Sequence, residues 1–182
     1  MFIQTQQFTP MEAAALVGLK EMQVRKEIEY QVIDADAQSQ LSFPALVYLQ
    51  LVRRSPLSLQ TRERNHIYKR IVQSLDKGEV PEQIEVIDPV YLRFGDKVAE
   101  LQEKVIQFIA WKNRLSCDPD IMGGAITFSD SRLTVRHIGG MVERGVAKEE
   151  ILEDYPYLDV QDLEFARLFV RAYPLVDSAG GS

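Results

Sequence analysis

The sequence predicts a mainly α-helical fold: two small helical units, a helical connector between them, and short β-hairpins. Three observations carry this. Apolar residues recur at helical spacing between recognisable helix starts and stops. Strand-like runs are few and short. The chain has 182 residues, 46% of them hydrophobic, which is enough to bury a core and to fill one domain or two small ones.

At the N-terminus, Thr9-Pro10-Met11-Glu12 has the form of a capping box. Thr9 stands at the cap, Pro10 suits the first helical position, and Glu12 lies three residues after the cap. Ala13, Ala14, Leu16 and Val17 give this helix an apolar face, and Gly18 stops it. A second helix is expected from Glu21 to Tyr30, with Val24 and Ile28 facing inward and Met22, Lys26 and Glu29 on the opposite face. Two short helices around a Gly-containing turn are the sequence form of a helix-turn-helix. Val32, Ile33 and then Gln40 to Phe43 read as short strands around a polar turn, where a wing would sit. Pro44 opens a further helix, running to Arg54 with Leu46 and Leu49 buried, and Ser55-Pro56 ends it.

Ser58 is the expected cap of a longer helix that reaches Lys77 and is closed by Gly78, with Ile67, Ile71 and Leu75 on one side. Ile84 to Ile87 reads as a short strand. A helix of about twenty residues is expected from Asp96 to Leu115, its apolar positions in a three-four alternation broken by Lys112. That is more apolar surface than an isolated helix buries, so Val98, Leu101, Val105 and Phe108 are expected to form either core within the chain or the seam of a homodimer. Beyond Asp118-Pro119, a Gly123-Gly124 pair and an extended piece lead to three helices: Val135 to Arg144, Lys148 to Tyr155, and Val160 to Tyr173 with Asp159 as cap. The expected divisions are a head over 1–54, a connector and dimerisation region over 55–116, a C-terminal domain over 117–176 and a mobile tail over 177–182.

Composition narrows the function. A formal charge of −6 excludes a uniformly basic nucleic-acid coat. The charge is nevertheless polarised: Arg53 to Lys77 holds seven basic residues against two acids, whereas Glu143 to Glu164 holds two against eight. The single cysteine, Cys117, excludes an internal disulfide and reads as small and partly buried. With His66 and His137 it lacks metal-ligand spacing. No nucleophile motif, phosphate loop or dinucleotide fingerprint is present, so no catalytic residue, metal or cofactor is expected. The first fifteen residues lack the basic start and apolar core of a signal peptide. No apolar run approaches the roughly 18 residues that span a bilayer, and the expected location is cytoplasmic.

Two stretches carry resemblances. Asp118-Pro119, Gly123-Gly124, the run Ser131-Arg132-Leu133-Thr134-Val135, Glu149-Glu150-Ile151 and Asp154-Tyr155-Pro156-Tyr157-Leu158 resemble a bacterial family known as domain of unknown function 433. The run beginning at Asp130 departs from that family's Gly-Thr-Arg-Ile-Pro-Val pattern. The resemblance implies a homeodomain-like three-helix domain and the antitoxin half of a toxin–antitoxin pair whose toxin is a PIN-like ribonuclease. Phe8 to Ile33 resembles MerR-type winged helix-turn-helix heads, with Val24-Arg25-Lys26-Glu27-Ile28-Glu29 on the recognition helix. Antitoxins of the VapB type join such a head to such a domain.

The expected function is therefore an antitoxin that neutralises a PIN-like ribonuclease and represses its own operon. In that reading Gln23 and Lys26 reach base edges of operator DNA, while Lys20, Arg25, Arg53 and Arg54 hold phosphate. Arg132, Arg167 and Arg171 are the candidates to meet a nuclease's carboxylates, because guanidinium pairs with carboxylate in a bidentate fork. Two other readings stay open: a stand-alone dimeric helix-turn-helix regulator, and an interaction adaptor that binds no DNA.

Overall fold

A computed structural model describes residues 5–52, 58–80, 82–87, 90–93 and 96–175. The described residues form eight α-helices and one two-stranded sheet, in the order α1 (Pro10–Val17), α2 (Glu21–Glu29), α3 (Phe43–Val52), α4 (Thr61–Asp76), β1 (Gln83–Ile87), β2 (Val90–Arg93), α5 (Lys97–Lys112), α6 (Val135–Glu143), α7 (Lys148–Asp154) and α8 (Val160–Ala172). A 3₁₀ turn, Met122–Gly124, precedes α6. The chain divides into two compact units, 1–106 and 107–182, and the division falls inside α5. Residues 55–106 of the expected connector thus group with the head, and residues 107–116 with the C-terminal domain.

In the first unit the α1 capping box forms as expected. Thr9 Oγ1 accepts from the Glu12 amide at 3.1 Å, and Glu12 Oε2 accepts from the Thr9 amide at 2.9 Å. Gly18 stops the helix with φ 70°, a left-handed cap that glycine adopts without Cβ strain. α2 departs from expectation on its inner side. Val24 is fully buried, Ile28 only half so, and the residue beside it that goes inside is Glu27. α3 is apolar all round and buried all round, from Phe43 through Leu49.

No wing hairpin forms between α2 and α3. Asp36 Oδ1 accepts from the amides of Gln38 and Gln40, both at 2.8 Å, and Asn65 Nδ2 donates to the carbonyls of Gln31 and Val32. These bonds occupy backbone groups that two strands would have paired. Leu41 instead forms an isolated antiparallel bridge with Phe8, a residue outside the two expected strands.

α4 starts at Thr61 and not beside Ser58, because Glu63 reaches back to the Gln60 amide at 2.7 Å and makes Gln60 the cap. Ile67, Ile71 and Leu75 are buried as expected, with Tyr68 beside them. β1 lies where a strand was read. Its antiparallel partner β2 was not foreseen: Ile84 faces Leu92 and Glu85 faces Tyr91, with an irregularity after Glu85. On α5, Val98, Leu101 and Val105 are buried, and Lys104 Nζ donates to the Leu16 carbonyl at 2.6 Å.

In the second unit the three expected helices form within a residue or two of their expected ends. Thr134 caps α6, Asp159 and Asp162 cap α8 reciprocally, and Gly145 carries φ 82° after α6. The piece before α6 is a pair of isolated bridges, Ser116 to Thr127 and Thr127 to Thr134, and not a continuous strand. The core is aromatic. Trp111 packs on Phe108, Phe128, Phe165 and Phe169, with ring centroids 5.8–6.2 Å apart. The apolar row of α5 continues through Trp111, three residues after Phe108. Lys112 steps aside, its Nζ 5.5 Å from the Phe108 ring centroid and 4.9 Å from that of Tyr173. α6 meets α8 at Gly139. A Cβ there would lie 2.7 Å from Val170 Cγ1 and 2.9 Å from the Ala166 carbonyl carbon, closer than atoms approach, which accounts for a glycine inside a helix.

Candidate functional site

The outer face of α2 is the first candidate surface. Met22, Gln23, Arg25, Lys26 and Glu29 are exposed there, with Lys20 exposed at its start. Two of the four predicted contacts on this helix are already occupied in part. Gln23 Oε1 accepts from the Lys20 amide at 2.9 Å, and Arg25 is paired one turn back with Glu21 at 2.6 Å. Lys20 and Lys26 make no ion pair with a described residue. Arg53 and Arg54 lie outside the described residues. On α4, Arg62, His66 and Arg70 follow one another at one-turn spacing on the exposed side with Lys69 beside them, and Arg62, Lys69 and Arg70 have no described carboxylate partner.

One cation of that basic segment is spent inside the unit. Arg64 Nη1 pairs with Glu27 Oε1, and the Tyr48 hydroxyl donates to Glu27 Oε2 at 2.9 Å. This link ties α2, α3 and α4 together, so the exposed faces of α2 and α4 are held in a fixed relation. Arg64 Nε is buried without an acceptor. Burial, and then the neighbouring Glu27 charge, push the Tyr48 hydroxyl far above the ordinary tyrosine range. The sequence held a signal for this link: Glu27 sits three residues after Val24 and Arg64 three before Ile67, both on inward stripes and of opposite charge.

In the second unit, the structure brings Arg167 and Arg171 together and leaves Arg132 apart. Both α8 guanidiniums donate to Glu143 of α6, Arg167 Nε at 2.6 Å and Arg171 Nε at 2.7 Å. Partial burial raises the Glu143 carboxyl, but the hydrogen bonds and charges of Arg171 and Arg167 outweigh it and hold the group below its usual range. Arg132 is exposed and has no partner among the described residues. The two α8 arginines therefore form an internal bridge first, and any carboxylate from outside competes with Glu143 for them.

Val98, Leu101, Val105 and Phe108, expected as a dimer seam, are at most 3% exposed within the single chain. Of the two expected roles, core and dimer seam, the row takes the first: its side chains are covered by the chain's own residues. Cys117 is exposed and not partly buried as expected; its Sγ lies 3.3 Å from the Gly124 carbonyl. Exposed aromatic groups cluster instead near α7. His137 Nε2 is 3.3 Å from the Tyr155 hydroxyl, and Tyr155 stands edge-on to Tyr157. Among the described residues no three His, Cys, Asp or Glu side chains gather as metal ligands, and no helix is long and apolar enough to cross a membrane.

Among the described residues, these surfaces offer several places for contact with a partner. The C-terminal part of the chain carries a recognisable domain: residues 115–170 match the family model described as protein of unknown function, DUF433. Among curated proteins, it is similar to the uncharacterised protein y4eO of Sinorhizobium fredii (strain NBRC 101917 / NGR234), with 29% identity over 73 residues. That match covers 40% of this chain, and the chain spans about a third of the relative's length, 33%. No solved structure matches.

Proposed function

We propose that this chain is a DNA-binding antitoxin: a helix-turn-helix head that represses its own operon and a C-terminal homeodomain-like domain that binds and silences a PIN-like ribonuclease. The reading rests on local patches of charge, cations on α2 and α4 and acids around α7; summed over all residues both units are acidic, 1–106 at −2 (13 basic, 15 acidic) and 107–182 at −4 (8 basic, 12 acidic). The first exposes the uncompensated cations Lys20, Lys26, Arg62, Lys69 and Arg70, and the second exposes Glu149, Glu150, Glu153 and Asp154. Phosphate contacts supply most of a DNA binder's affinity, so the first unit is the one suited to DNA. The acidic patch around α7 repels a polyanion and suits a protein partner. α1 and α2 act as the reading pair, the Asp36 bend stands where a wing would be, and Gln23 and Lys26 reach base edges from α2. Lys20 and Arg25, with Arg53 and Arg54 in the segment before α4, hold phosphate. A homodimer on a two-fold axis places two heads on a palindromic operator, with contacts other than the buried α5 row.

The test is co-expression. The small open reading frame beside this one is induced in a bacterial host with and without this protein, and growth is scored. Growth arrest reversed by this protein supports the reading. A harmless neighbour, or toxicity that this protein leaves unchanged, removes the antitoxin role. One observation favours a second reading, a dimeric regulator without a nuclease partner: Arg167 and Arg171, the candidate plugs, are already held by Glu143. In that case the protein shifts its own upstream DNA in a gel, and a Lys20→Ala/Lys26→Ala double variant weakens the shift.

A further inference from the structure

We infer that a pocket beside Trp111 is a docking site for one large apolar side chain carried on a basic segment of a partner protein. The inference deepens the proposed partner-binding role of the second unit and rests on it. The pocket holds about 180 Å³. Ligand sites for whole small molecules run to roughly 300–1,000 Å³. This one has room for a single side chain. Trp111, Leu115, Phe128 and Leu158 give it apolar lining, and Arg114, Ser129, Tyr157 and Asp162 give it polar lining.

The walls are set before anything enters. The Trp111 indole N–H donates to Asp162 Oδ1 at 2.9 Å, and Asp162 is itself held by its reciprocal cap with Asp159. A preformed pocket spares a binding partner the cost of ordering it. Tyr157 is 61% exposed, yet its ring is braced edge-on against Tyr155, which in turn meets His137. A large aromatic left in water on a braced loop, beside Trp and Arg, has the composition of an interface anchor.

Charge selects the partner. Asp130 and Asp159, both exposed, directly follow the lining residues Ser129 and Leu158, and Asp162 is itself a lining residue. Arg114 lies 3.4 Å from Asp162, and the exposed Arg132 stands two residues after Asp130, so three acids face two cations here. The Glu143 to Glu164 segment, which supplies Tyr157, Leu158 and Asp162 to the lining, carries eight acids against two basic residues. An apolar anchor flanked by Lys or Arg satisfies both the pocket and its rim; an acidic segment meets repulsion.

Trp111 is the chain's single tryptophan, so its emission reports the pocket directly. The full chain is titrated with three end-blocked peptides, KKFKK, KKAKK and EEFEE. The expected result is an emission change with KKFKK and binding about tenfold or more tighter than KKAKK, the effect of burying one large apolar side chain, with no binding of EEFEE. Tyr157→Ala weakens KKFKK about fivefold without moving the melting temperature, and Tyr157→Phe restores it. Asp130→Asn, which tolerates the left-handed backbone at that residue (φ 55°), weakens it about twofold. Equal binding of KKFKK and KKAKK, no binding of KKFKK, or a Tyr157→Ala variant that binds like the parent overturns the inference. No nuclease takes part in this titration. A failed growth rescue with intact peptide binding removes the antitoxin reading alone, and the reverse pattern removes the pocket alone.

Discussion

In the first unit, a buried carboxylate, Glu27, accepts from the Tyr48 hydroxyl and pairs with the half-buried guanidinium of Arg64. In the second, Trp111 and four phenylalanines fill the interior, and the ion pairs Glu143–Arg167, Glu143–Arg171 and Lys148–Glu164 lie at the surface. The contrast separates two ways of fixing a helix arrangement. A buried charged link is directional: it sets how α2, α3 and α4 meet, at the cost of desolvating both charges. An aromatic cluster is set by volume and edge geometry, tolerates small rotations and loses most when a large ring is removed. Surface pairs add little to either.

The sharpest test of that contrast is to remove the central ring. Trp111→Ala is expected to cost about 4 kcal/mol, because the cavity left among four phenylalanines is too well walled to collapse. Urea unfolding followed by circular dichroism measures it, with the loss confined to the second unit's transition. Breaking the charged link should cost slightly less. Arg64→Ala strands Glu27 inside and is expected to cost about 3 kcal/mol, whereas the double variant Glu27→Leu/Arg64→Leu, made in a Tyr48→Phe background so that no buried hydroxyl is left without an acceptor, should return to within about 1 kcal/mol of the Tyr48→Phe protein. If the double variant is as unstable as the single, the link is worth more than its desolvation cost and the comparison between units needs revising. Next comes Gly139→Ala, expected to lose about 2 kcal/mol despite alanine's better helix propensity, since its Cβ meets the backbone of α8.

The smallest effects distinguish the units by pH. Glu143 is held below its usual carboxylate range, so its bridge contributes fully above the unfolded carboxylate's pKa and is lost as pH falls through the lowered folded value. A stability gap between the parent and Glu143→Gln at neutral pH should therefore close in acid. Tyr48 is shifted the other way. Its neutral form is retained in the fold, so its contribution is complete below the ordinary tyrosine pKa and declines as pH rises above it. Tyr48→Phe should flatten the alkaline arm of the first unit's stability profile and leave the acid arm of the second untouched.

Legibility from sequence followed the range of the interactions. Capping residues act over three or four positions, and the Thr9–Glu12 and Asp159–Asp162 boxes and the Gly18 stop were readable because their partners are neighbours in the chain. The three C-terminal helices were readable for the same reason. Failures occurred where a distant group claimed a backbone or side chain. Asn65 took carbonyls that a wing strand would have used, 33 and 34 residues away. Glu143 took Arg167 and Arg171 across 24 and 28 residues, turning two candidate contact residues into a bridge. At β2, Val90-Tyr91-Leu92 had strand-forming residue types, but its pairing partner was needed to give them meaning.

The sequence by itself determined the helical class, the places where most helices start and stop, and the polar split of charge between the middle and the C-terminal part. These depend on period, cap chemistry and composition, which act locally or additively. Tertiary structure decided what each face is for. It buried the α5 row, turned Glu27 and Arg64 inward and left Lys20, Lys26, Arg62, Lys69 and Arg70 unpaired on α2 and α4. It also assembled the Trp111 pocket from α5, the bridge segment, the α7–α8 turn and α8. Which face meets water depends on what covers it, and covering groups come from residues far apart in the chain.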